Sequence, residues 1–426
     1  LHPGFDLEQV HRELFAAIKA DHEIRITSPE EWAGRAGAES GAAARTNAAA
    51  GGTRSAAAGQ TQGVADLTVV LIASGGTENG FVEHWEKLPR PVYLLTDGKH
   101  NSLAASLEIS AWVRARVERC DILHGEPAEV SRRLGDLAAV ERTLRVLSES
   151  RLGFIGAPSD WLIASSVDRE LLHSRFGTVT EDIELSELYG YIEKTSPGEA
   201  RAVADEVERR SSAVLEPDRE ALEQAAAIYL GLKQLITDRG LTAITLRCFD
   251  LVNEYHNTGC LALALLNDEG IMAGCEGDQQ ALFTVVAANA LTGEIPFLAN
   301  PASIDTENNA LEIAHCMVAT RAVRAFRLRS HFETGIGVAI EGEYEPGDLT
   351  IVRIGRADLS RGWVSHARTE HAEHSRERCR TQLRLRLEED VKYFLEEAVA
   401  NHHVAVSGRW AERIRAFFTR VGVETS

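Results

Sequence analysis

Leu67-Thr-Val-Val-Leu-Ile-Ala73, followed at once by Ser74-Gly-Gly-Thr-Glu78, decides the fold class. Seven uncharged residues, rich in β-branched side chains, read as a strand buried on both faces. The Ser-Gly-Gly stretch is a strand-to-helix turn. The pattern then repeats. Pro91-Val-Tyr-Leu-Leu95 is the next strand, and residues 101–118 predict an amphipathic helix with Leu103, Leu107, Trp112 and Val113 toward the core. Cys120-Asp-Ile-Leu-His124 is a third strand. Alternation of strand and helix specifies a parallel sheet with helices on its faces.

Further along, Arg151-Leu-Gly-Phe-Ile-Gly156 opens a second strand–helix series. Residues 197–238 read as mostly helix, Thr242 to Cys248 as a strand and Leu261 to Leu266 as another. Residues 278–291 read as a helix closed by Thr292-Gly293. After Ile295 the signals change. Val338-Ala-Ile340, Leu349 to Arg353 and the Pro346-Gly347 turn point to antiparallel strands. Val399 to Gly408 follows as a strand, and Arg409 to Val421 as a closing helix. Residues 7–33 begin as helix and turn loop-like. Gly34 to Gly63 is a tract of Ala, Gly, Ser and Thr that buries little and reads as a flexible insertion. The expected organisation is α/β. An N-terminal α/β domain spans 1–150, with the insertion at 34–63. A second α/β domain spans 151–290 and a β-rich domain 291–426.

A chain of 426 residues is too long for one core. Its net charge of -19 argues against nucleic acid as a partner, because phosphate binding needs a basic face. The longest apolar runs hold about seven residues, whereas a membrane helix needs about 20. No basic-then-apolar leader pattern follows His2, Asp6, Glu8 and Arg12. Six scattered cysteines without a CxxC pair read as reduced thiols. These features predict a cytoplasmic protein. Phosphate loops, nucleophile elbows, HExxH and GxGxxG are absent; Gly335-Ile-Gly337 alone is weak.

Candidate chemistry concentrates in the C-terminal half. Gly274-Cys-Glu-Gly-Asp278 joins a predicted strand to a predicted helix, where α/β sheets place ligand groups. Glu276 and Asp278 can hold a cation or act as acid and base. They satisfy equally a purely local role, in which Glu276 caps the helix and Asp278 steadies its first turn. Phe297-Leu-Ala-Asn300-Pro-Ala-Ser303-Ile-Asp305 ends a strand, with Asn-Pro as a turn signal. His315 and His331 lie in strand-like settings, where a lone His is more often a satisfied core residue than a ligand. In Asn401-His402-His403, adjacent strand residues face opposite sides, so one His alone can reach a given pocket. His366, His371, His374 and Cys379 look metal-like. Interleaved Arg and Glu mark them instead as a solvated loop or helix face.

Taken together, Gly274 to Asp305, Arg329-Ser-His-Phe-Glu-Thr-Gly-Ile-Gly337 and Asn401-His-His-Val404 resemble the L-fucose/L-arabinose isomerase family, in its short fucose isomerase-like branch. Ser74 to Glu78, Asn101 to Glu108 and Gly156-Ala-Pro-Ser-Asp-Trp-Leu-Ile-Ala-Ser165 extend the resemblance over nearly the whole chain outside 34–63. It implies two Rossmann-like domains, a β-rich C-terminal domain and a homo-oligomer, in the family usually a hexamer. It also implies aldose–ketose interconversion of a free sugar or close derivative through a cis-enediol. The cofactor implied is Mn²⁺ or another divalent cation such as Mg²⁺.

Matched residue by residue, Glu276 is a metal ligand and proton carrier, and His402 a metal ligand. Asn300 stands where the fucose enzymes carry a metal-binding, catalytic aspartate. His331 matches a histidine around the metal in the arabinose enzymes, and His315 lies near a glutamate position there. The expected site is therefore Glu276, Asn300 and His402 on the metal. Glu276, Asn300, His331 and Asp305 form the expected catalytic set, Asp305 standing in as base if its turn brings it inward, and Asp278 and His315 bind the sugar. An amide cannot serve as a base. That departure keeps two other readings open: a different metal–enediolate enzyme, a lyase or epimerase, or a non-catalytic sugar-binding protein.

Overall fold

Two parallel sheets and one closed antiparallel sheet carry the chain in its computed structural model, which describes residues 6–26, 66–370 and 374–426. The insertion expected at 34–63 lies outside the described residues. The chain divides into two compact units, one reaching to Glu141 and the other from Arg142 to Ser426.

In the first unit, Val70–Leu71 (β1), Val92–Leu95 (β2) and Cys120–Leu123 (β3) form a parallel sheet in that order. The predicted 67–73 strand pairs as a strand over Val70–Leu71 only, at one edge of the sheet. Side-chain alternation divides β2 between two cores. Leu94 packs with Ile72, Phe81, Trp85 and Ile109 on one face. Tyr93 and Leu95 pack with Leu14, Ile18 and Leu123 on the other. The helix Ser102–Arg114 buries Ala105, Ile109 and Val113 along one stripe. Leu107, expected in the core, lies off that stripe and is 58% exposed.

The second unit begins with four parallel strands, Arg151–Ile155 (β4), Val179–Ile183 (β5), Ala243–Leu246 (β6) and Met272–Cys275 (β7), in the order β5-β4-β6-β7. Leu261 to Leu266, read as a strand, lies instead in a helix, Cys260–Asp268, all of whose residues are buried. An apolar run with no exposed face has no period to read, and its Leu and Ala favour the helix.

Phe297–Asp305 (β8), Ala310–His315 (β9), Ala325–Arg329 (β10), Ala339–Glu343 (β11), Asp348–Gly355 (β12), Arg361–Glu370 (β13), Thr381–Leu387 (β14) and His403–Ser407 (β15) make up the β-rich region. Six of them join in the order β12-β15-β8-β9-β14-β13, and β13 pairs back to β12, so the antiparallel sheet closes on itself. Closure leaves no open edge among the six. β10 and β11 form a separate hairpin. Asn300-Pro301 does not end its strand as a turn. β8 continues through it, with a register shift between Pro301 and Ser303, a bulge being where a sheet tolerates Pro. His366 is not on a solvated loop or helix face. It lies in β13, 3% exposed, its Nε2 2.9 Å from Glu412. The described residues contain no helix long and apolar enough to cross a membrane.

Candidate active site

The end of β7 supplies the central carboxylate. After Cys275 the chain turns through Glu276 at φ 60° and Gly277 at φ 72°. A non-glycine residue in the left-handed region is strained, and such strain collects at functional sites. A side chain at Gly277 would place its Cβ 2.8 Å from the Ala157 carbonyl oxygen, so only glycine fits. Asp278 then caps the helix Gln279–Thr292, its Oδ1 accepting from the Ala281 N–H at 2.7 Å. The cap is thus Asp278, and Glu276 is left for other work.

Glu276 is fixed on both sides. Its carbonyl accepts from the Ser159 N–H at 2.8 Å, and the Trp161 indole N–H donates to Oε2 at 2.6 Å. Its Oε1 lies 3.7 Å from His402 Nε2. The other ring nitrogen of His402, Nδ1, is 2.9 Å from Asp278 Oδ2. Behind Asp278 stands the guanidinium of Arg353, fully buried and 3.4 Å away. A ligand imidazole held by a carboxylate, itself held by a cation, is the support metal-binding histidines typically have.

Barrel register brings the remaining groups alongside. His403 pairs with Ala299, and Asn300 pairs with Ala314, so His402, Asn300 and the end of β9 lie in one row across three strands. His315 ends β9, its ring centroid 5.6 Å from that of His402. One ligand atom each from Glu276, His315 and His402 lie within 4.8 Å of one another. Both ring nitrogens of His315, Nε2 of His402 and Oδ1 of Asn300 are buried without a hydrogen-bond partner. One His315 nitrogen and the Asn300 amide oxygen offer lone pairs beside the carboxylate, and His402 would add one on losing its proton, a donor set that suits an oxygen- and nitrogen-binding divalent cation. Glu276, Asn300, His315 and His331 all line one cavity of about 310 Å³, within the range of small-molecule sites.

Charge is distributed accordingly. Burial raises the Glu276 carboxyl, but the nearby His402, with the charge of His315 and the Trp161 N–H, outweighs it and holds it well below the carboxylate range. Asp278 is likewise raised by burial and lowered further by Arg353 and His402. Burial lowers His402, yet its two carboxylate neighbours lift it above the usual imidazole range. Burial and the like charge of His402 push His315 down to about 3, leaving a neutral imidazole with a free lone pair. His331 is also pushed down, by burial and then by Arg380.

Two expected site residues lie elsewhere. Asp305 is at the far end of β8, five residues or about 15 Å from Asn300 along the strand. Its carboxylate accepts from the Asn308 N–H at 3.0 Å and from Arg384 at 2.6 Å, so it cannot reach the cavity as a base. Asp278 is 0% exposed and does not line the cavity; its Oδ2 faces His402. His403 points the other way, to the Tyr393 hydroxyl at 3.1 Å. The sequence reading missed Arg353 and did not single out Phe249, which lines the cavity and packs edge-on against both Trp161 and His331. Cys379, set aside with the histidine cluster, also lines the cavity.

Comparison with known proteins points in the same chemical direction. The chain is 26% identical over 263 residues to a sulfoquinovose isomerase of Alkalicoccus urumqiensis, covering 60% of this chain and 59% of that one. Sulfoquinovose isomerases of Clostridium sp. (strain MSTE9) and Priestia aryabhattai match at 26% and 25%, over 47% and 60% of this chain and 46% and 58% of theirs. The chain thus spans under two thirds of the length of these curated relatives. They are sugar isomerases, related to the expected fucose and arabinose enzymes but distinct from them. No family model matches. A D-threo-3-hydroxyaspartate dehydratase from Delftia sp. HT23 aligns over 79% of this chain and 70% of its own at 12% identity, with a TM-score of 0.13, which carries no argument.

Proposed function

We propose that this chain is a metal-dependent aldose–ketose isomerase acting on a free sugar or close derivative. The observation that carries the reading is the Glu276–His315–His402 cluster, its ligand atoms within 4.8 Å, beside a cavity that Asn300 and His331 share. Glu276, His315 and His402 would hold the cation, with Asn300 as a neutral fourth donor. Carboxylate, imidazole and amide donors suit Mn²⁺ or a related ion better than a thiophilic metal, and the two imidazoles favour it over Mg²⁺. Such a cation supplies charge stabilisation for the two oxygens of an enediolate.

This chain's own residues then divide the proton work. Glu276, kept ionised and held by Trp161, carries the proton between C1 and C2. Asn300 cannot take a proton, and Asp305 is out of reach. The hydroxyl proton therefore falls to His331, a neutral imidazole in the cavity wall. Sulfoquinovose, the sugar in the relatives' names, is among the substrates to test, and Arg378, in the cavity lining and ion-paired with Glu312, is a cation that would face its sulfonate. We further propose a cytoplasmic location and a homo-oligomer, the latter read by light scattering.

Aldoses, sulfoquinovose among them, should be incubated with the Mn²⁺-loaded protein in D₂O. One sugar is expected to take deuterium at C2 of the aldose or C1 of the ketose, and Glu276→Gln to abolish the exchange. Sugars that bind and raise the melting temperature without exchanging would replace this reading with the binding-protein one.

A further inference from the structure

We propose that Cys248 and Cys275 form a modifiable dithiol in the wall of the cavity, closed to a disulfide by a two-electron oxidant of the peroxide class. Their sulfurs are 3.0 Å apart. Cys275 is the last residue of β7, and Cys248 lies two residues beyond Leu246, its partner in β6. The two thiols thus sit at the ends of neighbouring strands, at a spacing that a disulfide spans once the sulfurs close by about 1 Å. Both are nearly covered, at 5% and 2% exposure, yet both line the cavity. A molecule as small as hydrogen peroxide reaches them through the site, while a bulky thiol reagent does not.

Gly259 packs closely against Cys248. Its φ is an ordinary -77°, so conformation does not require glycine there. A Cβ on it would lie 2.9 Å from Leu246 Cδ2 and 3.2 Å from Cys248 Cβ. Glycine therefore preserves space beside the thiol.

The chemistry balances. One thiolate attacks a peroxide oxygen, giving a sulfenic acid and releasing the first water. The second thiol displaces hydroxide from that sulfur, forming the S–S bond and the second water. Two thiols lose two electrons and two protons, and the peroxide accepts both.

The cross-link would pull on both walls of the site. Cys275 precedes Glu276, and Cys248 precedes Phe249, which packs on Trp161 and His331. A shift of about 1 Å at such groups costs on the order of 100-fold in activity. This effect rests on the isomerase reading, whereas the cross-link itself does not.

The test treats the full chain with hydrogen peroxide and maps its peptides by mass spectrometry. We expect a Cys248–Cys275 linked peptide with full reversal by dithiothreitol, scored apart from any Cys316–Cys379 link, since those two thiols also meet in the cavity wall. Cys248→Ala and, independently, Cys275→Ala should each remove the linked pair. Calorimetry with Mn²⁺ alone should show binding about tenfold or more weaker in the oxidised protein. Absence of the linked Cys248–Cys275 peptide overturns the dithiol. A linked pair with unchanged Mn²⁺ binding and sugar exchange overturns its effect on the site. Mn²⁺ bound by neither form refutes the metal reading, and the linked peptide then still decides the dithiol.

Discussion

At the scale of single residues, Asp278 does two jobs that compete for one carboxylate. Oδ1 caps a helix, and Oδ2 fixes the tautomer and direction of His402, with Arg353 behind. Asp278→Asn keeps the shape but weakens the anchor, so a positive Arg353 is left buried without its counter-charge. Breaking a buried pair from one side costs about 3–5 kcal/mol, and loss of a ligand's supporting bond costs about 10- to 100-fold in metal affinity. Urea unfolding and Mn²⁺ titration of Asp278→Asn should show both losses together. Asp305→Asn, by contrast, should leave Mn²⁺ binding and any sugar exchange unchanged, because its partners are Asn308 and Arg384. Arg378→Gln is expected to raise KM for an anionic sugar while leaving a neutral one alone, since it removes a cation from the cavity wall.

The site also depends on how its elements end. β7 stops at Cys275 and the next helix starts at Gln279, which leaves three residues to turn the chain. That turn is made by Glu276 and Gly277, both at positive φ, pressed against Ala157 and Pro158. Gly277→Ala adds a Cβ where none fits, in a conformation that disfavours it. We expect a loss on the order of 1–3 kcal/mol in urea unfolding, with Mn²⁺ binding weakened because Glu276 is the neighbouring residue.

For the whole molecule, two units imply two separable transitions. Mn²⁺ should raise the melting temperature of the unit holding Glu276 and leave the other unchanged, because a ligand stabilises only the fold that binds it. Acid should act on the first unit through Asp97. Burial raises that carboxyl, but the His11 hydrogen bond at 2.8 Å, the Lys99 N–H and their charges bring it net below the ordinary value. A depressed carboxyl contributes stability that is present above its unfolded pKa, about 3.9, and lost as pH falls through the folded value. Asp97→Asn should therefore flatten the pH dependence of the first unit below about pH 4, read by circular dichroism, with the second unit unaffected.

The sequence by itself determined the alternation of strands and helices, the switch to antiparallel strands after Ile295, and the shortlist of polar residues. These are local facts: hydrophobic period, β-branching and turn residues act over a few positions. It failed where locality fails. The all-buried Cys260–Asp268 helix has no period to betray it. Leu107 looks apolar enough for a core it does not enter. Only the tertiary structure decided which shortlisted residues meet. Closing the barrel puts His315 and His402 beside Glu276, residues that lie 39 and 126 positions apart from it in the chain. The same closure sends Asp305 to the far end of its strand. Whether a carboxylate is a base, a helix cap or half of a surface ion pair depends on what is packed against it, and that is set by strand register rather than by the residues beside it in sequence.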